Sequence, residues 1–508
     1  MTGDLFIDGD SIWTGDPAAP RTGAVEVRRG RVAAIGGRRP SGVPAVRCPA
    51  GACLVPGLID AHLHLVLGGE QLAQLDLSGV TSRAAFEAAV AQRSAALPEG
   101  RWLLAHGWCE DRWGGELPDS SWLAAAGDRP VVAYRMDIHA ALVNERVLAL
   151  VPTADDPPGG RIVRDAAGRP TGLMAEAAAW DLVNPVVPSP GVAERRQGLL
   201  SAQHHLHQYG LTSVGAMEYA AIVRDVIEPL RDDLTLRVMI TMLDRTWPLD
   251  LSWATGFRND DRLAVIGCKA FLDGTLGSRT AAMLSPYADD PGNSGLFVEL
   301  AASGDLDAWA AAVAAAGLSP AMHAIGDAAS RLAIDVIASL PPGTHARLEH
   351  GQHLHADDVA RTAGMFVSMQ PLHMVDDAPS MRGRLGAERL PGAFAIRQLA
   401  AADAVLAFGS DWPVVTACPI EGMRAAVTRL DRDGAPFQPA SAISPEAALV
   451  AYTRGAAEAL RLPDAGVIRP GAHGDFTLLD RDPLTADWIA APPRAIATIV
   501  AGEVVWQA

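Results

Sequence analysis

Residues 267–282 read GCKAFLDGTLGSRTAA, the end of an apolar stretch that runs into a glycine-rich loop. The apolar part extends back to Leu263 and predicts a buried strand from Leu263 to Phe271. Lys269, close to the end of this predicted strand, is the only lysine in the sequence. Every other residue among the 42 lysines and arginines is therefore an arginine. A desolvated lysine can lose its proton and act as an amine, whereas arginine stays charged. The position indicates a chemical role for Lys269, although from composition alone a lysine without function is an equal alternative.

The overall composition limits the classes of function. The chain has 508 residues, of which 49% are hydrophobic and 20% charged, as in a large globular protein. A net charge of -17 disfavours nucleic acid as a partner. The sequence has no apolar run of membrane-spanning length and no signal sequence, and its five cysteines lack CxxC spacing. We therefore expect a cytoplasmic protein that acts on a small molecule without membrane or nucleic-acid partners, and we leave a homodimer open.

Strand-like and helix-like segments alternate through the middle of the chain, which is typical of βα units. Eight predicted strands follow one another, and alanine-rich helical runs lie between several of them. The strands are residues 54–65, 212–217, 236–241, 263–269, 320–323, 346–350, 365–370 and 404–409. Eight such units at this chain length predict an α/β fold with a (β/α)8 TIM-like barrel.

Two parts of the chain do not follow this alternation. Short strands separated by glycine turns occupy both termini, and we expect them to pair in one small domain formed by residues 1–57 and 456–508. Residues 68–200 contain a helix, two strands and a turn-rich segment, which predicts an insertion after barrel strand 1. The barrel itself is then formed by residues 58–67 and 201–455.

The first predicted strand carries the sequence Asp60-Ala61-His62-Leu63-His64. Because side chains alternate along a strand, Asp60, His62 and His64 share one face. Two imidazoles on one face suit a divalent metal. Taken alone, two unrelated histidines on a half-exposed strand are the more frequent explanation.

Polar residues also close several later strands. His323, His350 and Asp411 each follow an apolar run, at the fifth, sixth and eighth predicted strands. Each one alone is best explained as a hydrogen-bonded polar cap. Active-site groups of a barrel, however, come from the carboxyl ends of several strands. Together with His62, His64 and Lys269, the pattern predicts one site at that end of the barrel.

The motifs resemble those of the amidohydrolase superfamily, and most closely those of amidohydrolase family 3, the branch with the YtcJ-like proteins and N-substituted formamide deformylase. The resemblance covers nearly the whole chain. It is carried by residues 56–64, 273–282, 349–352, 368–371 and 409–413, and within the insertion by residues 158–165 and 170–173. It implies a barrel with a composite terminal β-sandwich domain.

The resemblance also implies a centre with one or two divalent metal ions, zinc first, with manganese, iron or nickel as alternatives. In the two-metal version, His62, His64 and Asp411 hold one ion, and His323 and His350 hold the other. Lys269, carboxylated by carbon dioxide to a carbamate, bridges them. In the one-metal version, Lys269 is instead a plain ammonium that contacts the substrate. Carbamate formation needs a neutral amine, which explains a lysine that arginine could not replace.

The mechanism implied by these ligands is hydrolysis by a metal-activated water, with Asp411 taking the proton and passing it to the leaving amine. Two departures from the family pattern bear on substrate contacts: Asp137-Ile138-His139 stands where we expect Asp-Gly-His, and His353 is additional. Arg279 also has an alternative role as the ion-pair partner of Asp273, and for every candidate substrate contact packing or capping is an equal alternative. The candidate contacts are Trp108, Asp111, His139, Asp273, Arg279 and His373.

Three functions are compatible with this sequence. The leading one is metal-dependent hydrolysis of a carbon–nitrogen bond of amide type, including N-substituted formamides and N-acyl compounds. The second keeps the metal centre and cleaves an ester, lactone or phosphoester. The third is a non-catalytic binding protein on the same fold, which the retention of the whole ligand set disfavours.

Overall fold

The computed structural model describes residues 3–136, 140–157, 160–245 and 247–508. The chain forms two compact units, one made of Met1–Gly68 with Leu199–Ala508 and the other of Gly69–Gly198. Among the described residues, none of the helices combines the length and apolar character needed to cross a bilayer.

The strands are as follows, in chain order: β1 Leu5–Trp13, β2 Arg21–Arg28, β3 Arg31–Ile35, β4 Ala45–Arg47, β5 Cys53–Pro56, β6 Leu58–Leu63, β7 Leu75–Asp76, β8 Leu103–Trp108, β9 Val131–Arg135, β10 Ala140–Val143, β11 Gly160–Arg164, β12 Pro170–Glu176, β13 Leu211–Glu218, β14 Arg237–Met242, β15 Leu263–Phe271, β16 Ser319–Ala324, β17 Arg347–His350, β18 Phe366–Met369, β19 Val405–Phe408, β20 Phe476–Leu479, β21 Ala495–Val500 and β22 Glu503–Gln507.

The α-helices are α1 Leu65–Leu72, α2 Arg83–Ala96, α3 Glu145–Leu148, α4 Val192–Gln208, α5 Ala220–Ile222, α6 Ser252–Thr255, α7 Glu299–Ser303, α8 Leu306–Ala315, α9 Asp327–Ser339, α10 Ala356–Val359, α11 His373–Leu385, α12 Ile396–Ala401, α13 Pro419–Thr428, α14 Pro445–Ala451 and α15 Arg454–Ala459. Shorter 3-10 or π turns span Glu110–Trp113, Ser120–Ala126, Ala178–Val183, Asn184–Val186, Val223–Ile227, Glu228–Asp233, Ala360–Thr362, Leu390–Gly392 and Pro439–Ser441.

The barrel is an eight-stranded parallel sheet in which β6 and β13 to β19 follow one another in chain order. Its strands are buried on both faces, which explains why they read as nearly continuous apolar runs. The two ends of the sheet meet where the backbone N–H of Asp411 donates to the carbonyl of His62 at 2.7 Å, and that of His64 to Trp412 at 2.8 Å. The predicted (β/α)8 barrel is confirmed.

Asp60 contributes to this closure. Its buried carboxylate accepts hydrogen bonds from the hydroxyl and backbone N–H of Ser410 at 2.5 and 3.1 Å, and from the N–H of His62 at 3.0 Å. The side chain therefore links β6 to the turn that follows β19. Although Asp60 shares a strand face with His62, its side chain does not act as a ligand. It stabilises the backbone of β6 and of the turn after β19, which carry His62 and Asp411.

The two chain ends pair in a second sheet of the same unit. Its order is β22-β21-β20-β5-β1-β2-β3, with β4 beside β1. Antiparallel pairing of β20 with β5 sets Phe476 opposite Pro56 and joins the ends directly. The core under this sheet draws on both termini, with Ile7 and Leu54 beside Phe476 and Ile499. The two termini thus pair in one sheet, which belongs to the same compact unit as the barrel, and β5 leads straight into the first barrel strand.

The inserted unit follows barrel strand 1, as predicted. It has its own six-stranded sheet, in the order β11-β12-β10-β9-β8-β7. The aromatic side chains of Phe86, Trp108 and Trp122 are fully buried in its core. A separate core of this kind is what makes the unit compact by itself.

Candidate metal centre

The carboxyl ends of the parallel strands bring the candidate ligands together. His62 lies in β6, Lys269 in β15, His323 in β16 and His350 at the end of β17. The imidazole rings of the three histidines are close neighbours. The ring centroids of His62 and His350 are 4.9 Å apart, and those of His323 and His350 are 4.4 Å apart. The sequence pattern thus corresponds to one buried cluster.

Two of these residues have an unusual backbone conformation. His350 and Asp411 have φ angles of 70° and 58°, in the left-handed region. Such a conformation costs an L-residue roughly 1–2 kcal/mol, and it recurs at functional sites. At His350 it breaks the alternation of side chains, so that the consecutive residues Glu349 and His350 both approach His62.

His62 is held from both sides of its ring. Its Nδ1 lies 2.7 Å from Oε2 of Glu349, a carboxylate that can only accept, so Nδ1 carries the proton. Its Nε2 therefore presents a lone pair, and this atom lies 3.0 Å from Nζ of Lys269 and 3.5 Å from Oδ1 of Asp411. An imidazole oriented in this way is prepared to bind a metal through Nε2.

His62, His350 and Asp411 form a compact ligand group, in which one ligand atom from each residue lies within 4.8 Å of the others. His64 adjoins it, with Nε2 at 3.2 Å from Oδ1 of Asp411. The family resemblance assigns His350 to a different ion from His62 and Asp411, whereas the structure groups these three residues together. His323 lies on the other side of His350 and donates from Nε2 to the carbonyl of Gly274 at 3.3 Å.

The protonation states in the cluster suit a cation. Burial, reinforced by the Lys269 ammonium, lowers the pKa of His323 to about 3 and also lowers that of His62. Burial likewise holds the pKa of His350 well below its ordinary value. For Asp411, burial alone would raise the pKa, but the facing imidazoles of His62 and His64 outweigh it and hold it well below its usual range. Neutral imidazole and carboxylate are the forms that bind metal.

Unused polar atoms support the same conclusion. Among the described residues, neither ring nitrogen of His350 has a hydrogen-bond partner, and Nδ1 of His323 has none either, although all three atoms are buried. A buried polar atom without a partner costs roughly 1–3 kcal/mol. A divalent ion would satisfy several of these atoms at once, so the residues present fit a metal.

Lys269 is almost completely enclosed, with 3% of its surface exposed. Burial lowers the pKa of its amine, and it outweighs the opposing influence of Asp411 and Glu349. The ammonium nitrogen lies 4.8 Å from the ring centroid of Phe271 and touches His62 on its other side. A neutral amine is therefore more accessible at this position than on the surface.

Three of the predicted substrate contacts have other partners. The indole of Trp108 is fully buried in the inserted unit and donates to the carbonyl of Ala133 at 2.8 Å, so it is a packing residue. Arg279 pairs with Asp289 at 2.7 Å, and the alternative pairing with Asp273 is wrong.

The carboxylate of Asp273 instead accepts from the backbone N–H groups of Ala282, Ile325 and Gly326. It thereby organises the loop after β15, while its Oδ1 lies 3.6 Å from Nε2 of His323.

The remaining candidates differ in what can be said of them. His373 begins α11, its Nε2 lies 3.2 Å from the carbonyl oxygen of Ser410, and its ring centroid is 6.5 Å from that of His350. It therefore borders the cluster. His139 and the side chain of Asp111 lie outside the described part of the structure.

Sequence reasoning missed two residues that hold a ligand of the cluster in place, Glu349 and Arg347. Glu349, although part of a recognised motif, had no role assigned to it, and Arg347 had none either. Arg347 donates from Nε to Oε1 of Glu349 at 2.7 Å, and both side chains are fully buried. Two opposite charges at alternate positions of one predicted buried strand were the available signal, because burial of charge demands pairing.

Fold and site together define a metal-dependent hydrolase. The profile of the amidohydrolase family matches residues 50–506. The chain belongs to the amidohydrolase family, which confirms the resemblance seen in its motifs.

Related proteins match over most of their length. The chain is 34% identical to Protein LONG AFTER FAR-RED 3 of Arabidopsis thaliana, across 99% of this chain and 91% of that protein. It is 32% identical to YtcJ of Bacillus subtilis (strain 168), whose name assigns it to the amidohydrolases, with coverages of 90% and 89%. N-substituted formamide deformylase of Arthrobacter pascens is 25% identical, with coverages of 95% and 94%. A solved structure of an uncharacterized metal-dependent hydrolase from Pyrococcus horikoshii OT3 superposes with a TM-score of 0.80 at 27% identity, covering 96% of this chain and all of that one.

Proposed function

We propose that this protein hydrolyses a carbon–nitrogen bond of amide type in a small molecule. One observation carries the proposal. His62, fixed by Glu349, directs Nε2 towards Asp411, and both buried ring nitrogens of the neighbouring His350 lack hydrogen-bond partners among the described residues. This arrangement supports a hydrolytic metal centre over a binding protein, which would have no use for a costly set of unpaired buried groups.

His62, His64, His350, His323 and Asp411 are the residues that would hold one or two ions, with zinc as the first choice because imidazole and carboxylate are its usual ligands in hydrolases. A divalent ion held there supplies two effects, a lower pKa for a water molecule and polarisation of the substrate carbonyl. Whether His350 and His323 share a second ion or complete a single site is part of the proposal that metal analysis decides.

Asp411 is the proposed proton carrier. Its carboxylate is ionised because the neighbouring imidazoles hold its pKa well below the usual range, against the effect of burial. Its Oδ1 lies 3.2 Å from Nε2 of His64 and 3.5 Å from Nε2 of His62, at the edge of the cluster. It can therefore take the proton of the attacking water and deliver it to the departing amine, as a general base and then a general acid.

Lys269 is proposed to carry a carbamate. The neutral amine attacks carbon dioxide, a carbon–nitrogen bond forms, and one proton leaves to solvent. The product is an anion with two oxygen atoms beside His62, in place of a cation. Burial favours this reaction because it lowers the pKa of the amine and so raises the neutral fraction.

The substrate class rests on the relatives and on Asp411. N-substituted formamide deformylase is related over nearly its whole length, and its name specifies a formamide substrate. A proton carrier beside the cluster suits an amine leaving group, which must be protonated to depart. N-Substituted formamides and N-acyl compounds are therefore the first substrates to test.

The test compares four compound classes: an N-alkyl formamide, an N-acyl amino acid, a lactone and a phosphate monoester. Metal-free protein is reloaded with Zn²⁺ or Mn²⁺ in the presence of bicarbonate, and bound metal is measured alongside turnover. We expect formamide or N-acyl hydrolysis that chelation removes and that Asp411→Asn abolishes. Turnover confined to the lactone or phosphate ester would overturn the amide assignment, and failure to bind either metal would overturn the metal centre.

A further inference from the structure

We propose that Glu349, held by Arg347, is a positioning residue that fixes His62 in the one tautomer able to bind a metal through Nε2. The inference rests on the proposed function in that it takes His62 as a metal ligand. It adds a role for Glu349 and Arg347, which are not themselves candidate metal ligands.

The three side chains form one continuous hydrogen-bonded chain. Nε of Arg347 donates to Oε1 of Glu349 at 2.7 Å, and Oε2 of Glu349 lies 2.7 Å from Nδ1 of His62. Arg347, Glu349 and His62 are each 0% exposed. Water therefore does not compete for these bonds, and their geometry controls the ring.

Arg347 is itself fixed by the barrel wall. Its Nη2 donates to the hydroxyl of Thr241 in β14 at 2.8 Å, and its Nη1 to the carbonyl of Ala459 at 3.3 Å. Arg347 and Glu349 occupy alternate positions of β17, so both face the barrel interior. The chain thus links β14 and β17 to the metal-facing histidine of β6.

The direction of the protons follows from the chemistry of the groups. Arginine only donates, so Oε1 of Glu349 must accept. The same carboxylate is ionised, because it pairs at 2.7 Å with a guanidinium that stays protonated. It can only accept at Oε2 as well, which requires a proton on Nδ1 of His62. Nε2 is left unprotonated towards Lys269 and Asp411.

The Glu349→Gln variant tests whether Glu349 sets the tautomer of His62. The amide has one acceptor and one donor end, and Arg347 requires the acceptor. The amide N–H₂ then faces Nδ1 of His62, which has to accept and so must move its proton to Nε2. A protonated Nε2 cannot bind metal, so the variant removes a ligand while changing only one atom type.

The primary measurement is titration of metal-free protein with Zn²⁺ against a competing chromophoric chelator. We expect about 10–100-fold weaker binding for Glu349→Gln, the usual effect of losing a partner of a metal-binding histidine. The second measurement reads ¹⁵N shifts of labelled histidine, with the His62 signals identified by their loss in His62→Gln. We expect the Nδ1–H form in the wild type and the Nε2–H form in Glu349→Gln.

Asp475→Asn is the matched control. Asp475 also forms a buried pair with Arg237, with bonds of 2.6 and 3.1 Å, between the terminal sheet and the barrel base rather than at the cluster. It should lower the melting temperature without changing the Zn²⁺ affinity of the folded protein. An affinity loss of the same size in this control would reduce Glu349 to a structural residue and overturn the proposal.

The outcomes separate the two proposals. Wild-type protein that binds no Zn²⁺ overturns the proposed function. Wild-type protein that binds Zn²⁺ while Glu349→Gln binds it equally well overturns the positioning role alone. If Glu349→Gln does not fold, the wild-type ¹⁵N spectrum still decides, because an Nε2–H tautomer of His62 in the metal-free protein contradicts the proposal.

Discussion

Replacement of Lys269 by arginine or methionine tests the carbamate most directly. A lysine with the ordinary pKa of 10.5 is neutral in only about three molecules in ten thousand at pH 7. Each unit by which burial lowers that pKa raises the neutral, reactive fraction about tenfold. Arginine has no accessible neutral form, and methionine has no amine, so neither variant can form a carbamate.

The structure also limits what these variants do to stability. Lys269 is 3% exposed, and its amine lies within hydrogen-bond distance of Nε2 of His62, at 3.0 Å. Methionine has similar length, so Lys269→Met costs about 1 kcal/mol for that bond and less than about 1.5 kcal/mol for repacking. The fold should therefore persist, while turnover falls by about 10²–10³-fold, the range for losing one preorganised electrostatic group.

The assay measures metal-dependent turnover after removal of carbon dioxide and again after addition of bicarbonate, with ¹³C-bicarbonate to detect the carbamate carbon. Wild-type activity should recover with bicarbonate, and neither variant should respond. Cys268→Ala is the control, because Cys268 precedes Lys269 on the same strand, packs into the core on the opposite face and should leave the bicarbonate response unchanged. A fully active Lys269→Arg protein would refute the reasoning.

Two further predictions concern residues outside the cluster. His353 is fully buried with both ring nitrogens unpartnered among the described residues, and burial lowers its pKa from 6.5 to about 3. Between pH 6.5 and about 3, His353 is therefore protonated in the unfolded chain but neutral in the folded protein. Stability decreases as the pH falls from about 6.5 towards 3, by about 2 kcal/mol at pH 5 for this residue. In urea unfolding of the metal-free protein, His353→Met should remove that amount from the difference between pH 7 and pH 5, and an unchanged pH dependence would contradict the assignment. Arg279→Ala should leave KM unchanged and change the melting temperature little, because its pair with Asp289 is partly exposed, at 37% and 31%. A large rise in KM would restore Arg279 as a substrate contact.

Much of the architecture can be predicted from local sequence patterns. Buried parallel strands must be apolar on both faces, so their runs from β6 to β19 are visible without a structure. The carboxyl end of each strand faces one rim of a barrel, so residues that close those runs, such as His323 and His350, can be assigned to one site. The sole lysine was visible by composition, since the rest of the chain meets its need for cations with arginine.

Other features depend on contacts between distant segments. From the sequence, Trp108 is compatible with substrate contact and with packing, because aromatic side chains serve both roles. Its burial and its bond to Ala133 favour packing. Arg279 follows Asp273 closely in sequence, yet it pairs with Asp289, because the carboxylate of Asp273 is already occupied by three backbone N–H groups. Neighbouring sequence position does not determine which charges meet.

The sequence by itself determined the family, the barrel and the set of strand-end residues, because these follow from periodicity, residue chemistry and motif spacing. Only the tertiary structure decided how His350 groups with His62 and Asp411, and that Glu349 and Arg347 lie beneath them. The physical reason is the left-handed backbone at His350 and Asp411, with φ of 70° and 58°. A strand pattern assumes alternation, and a local inversion of the backbone that the surrounding barrel stabilises cannot be read from it.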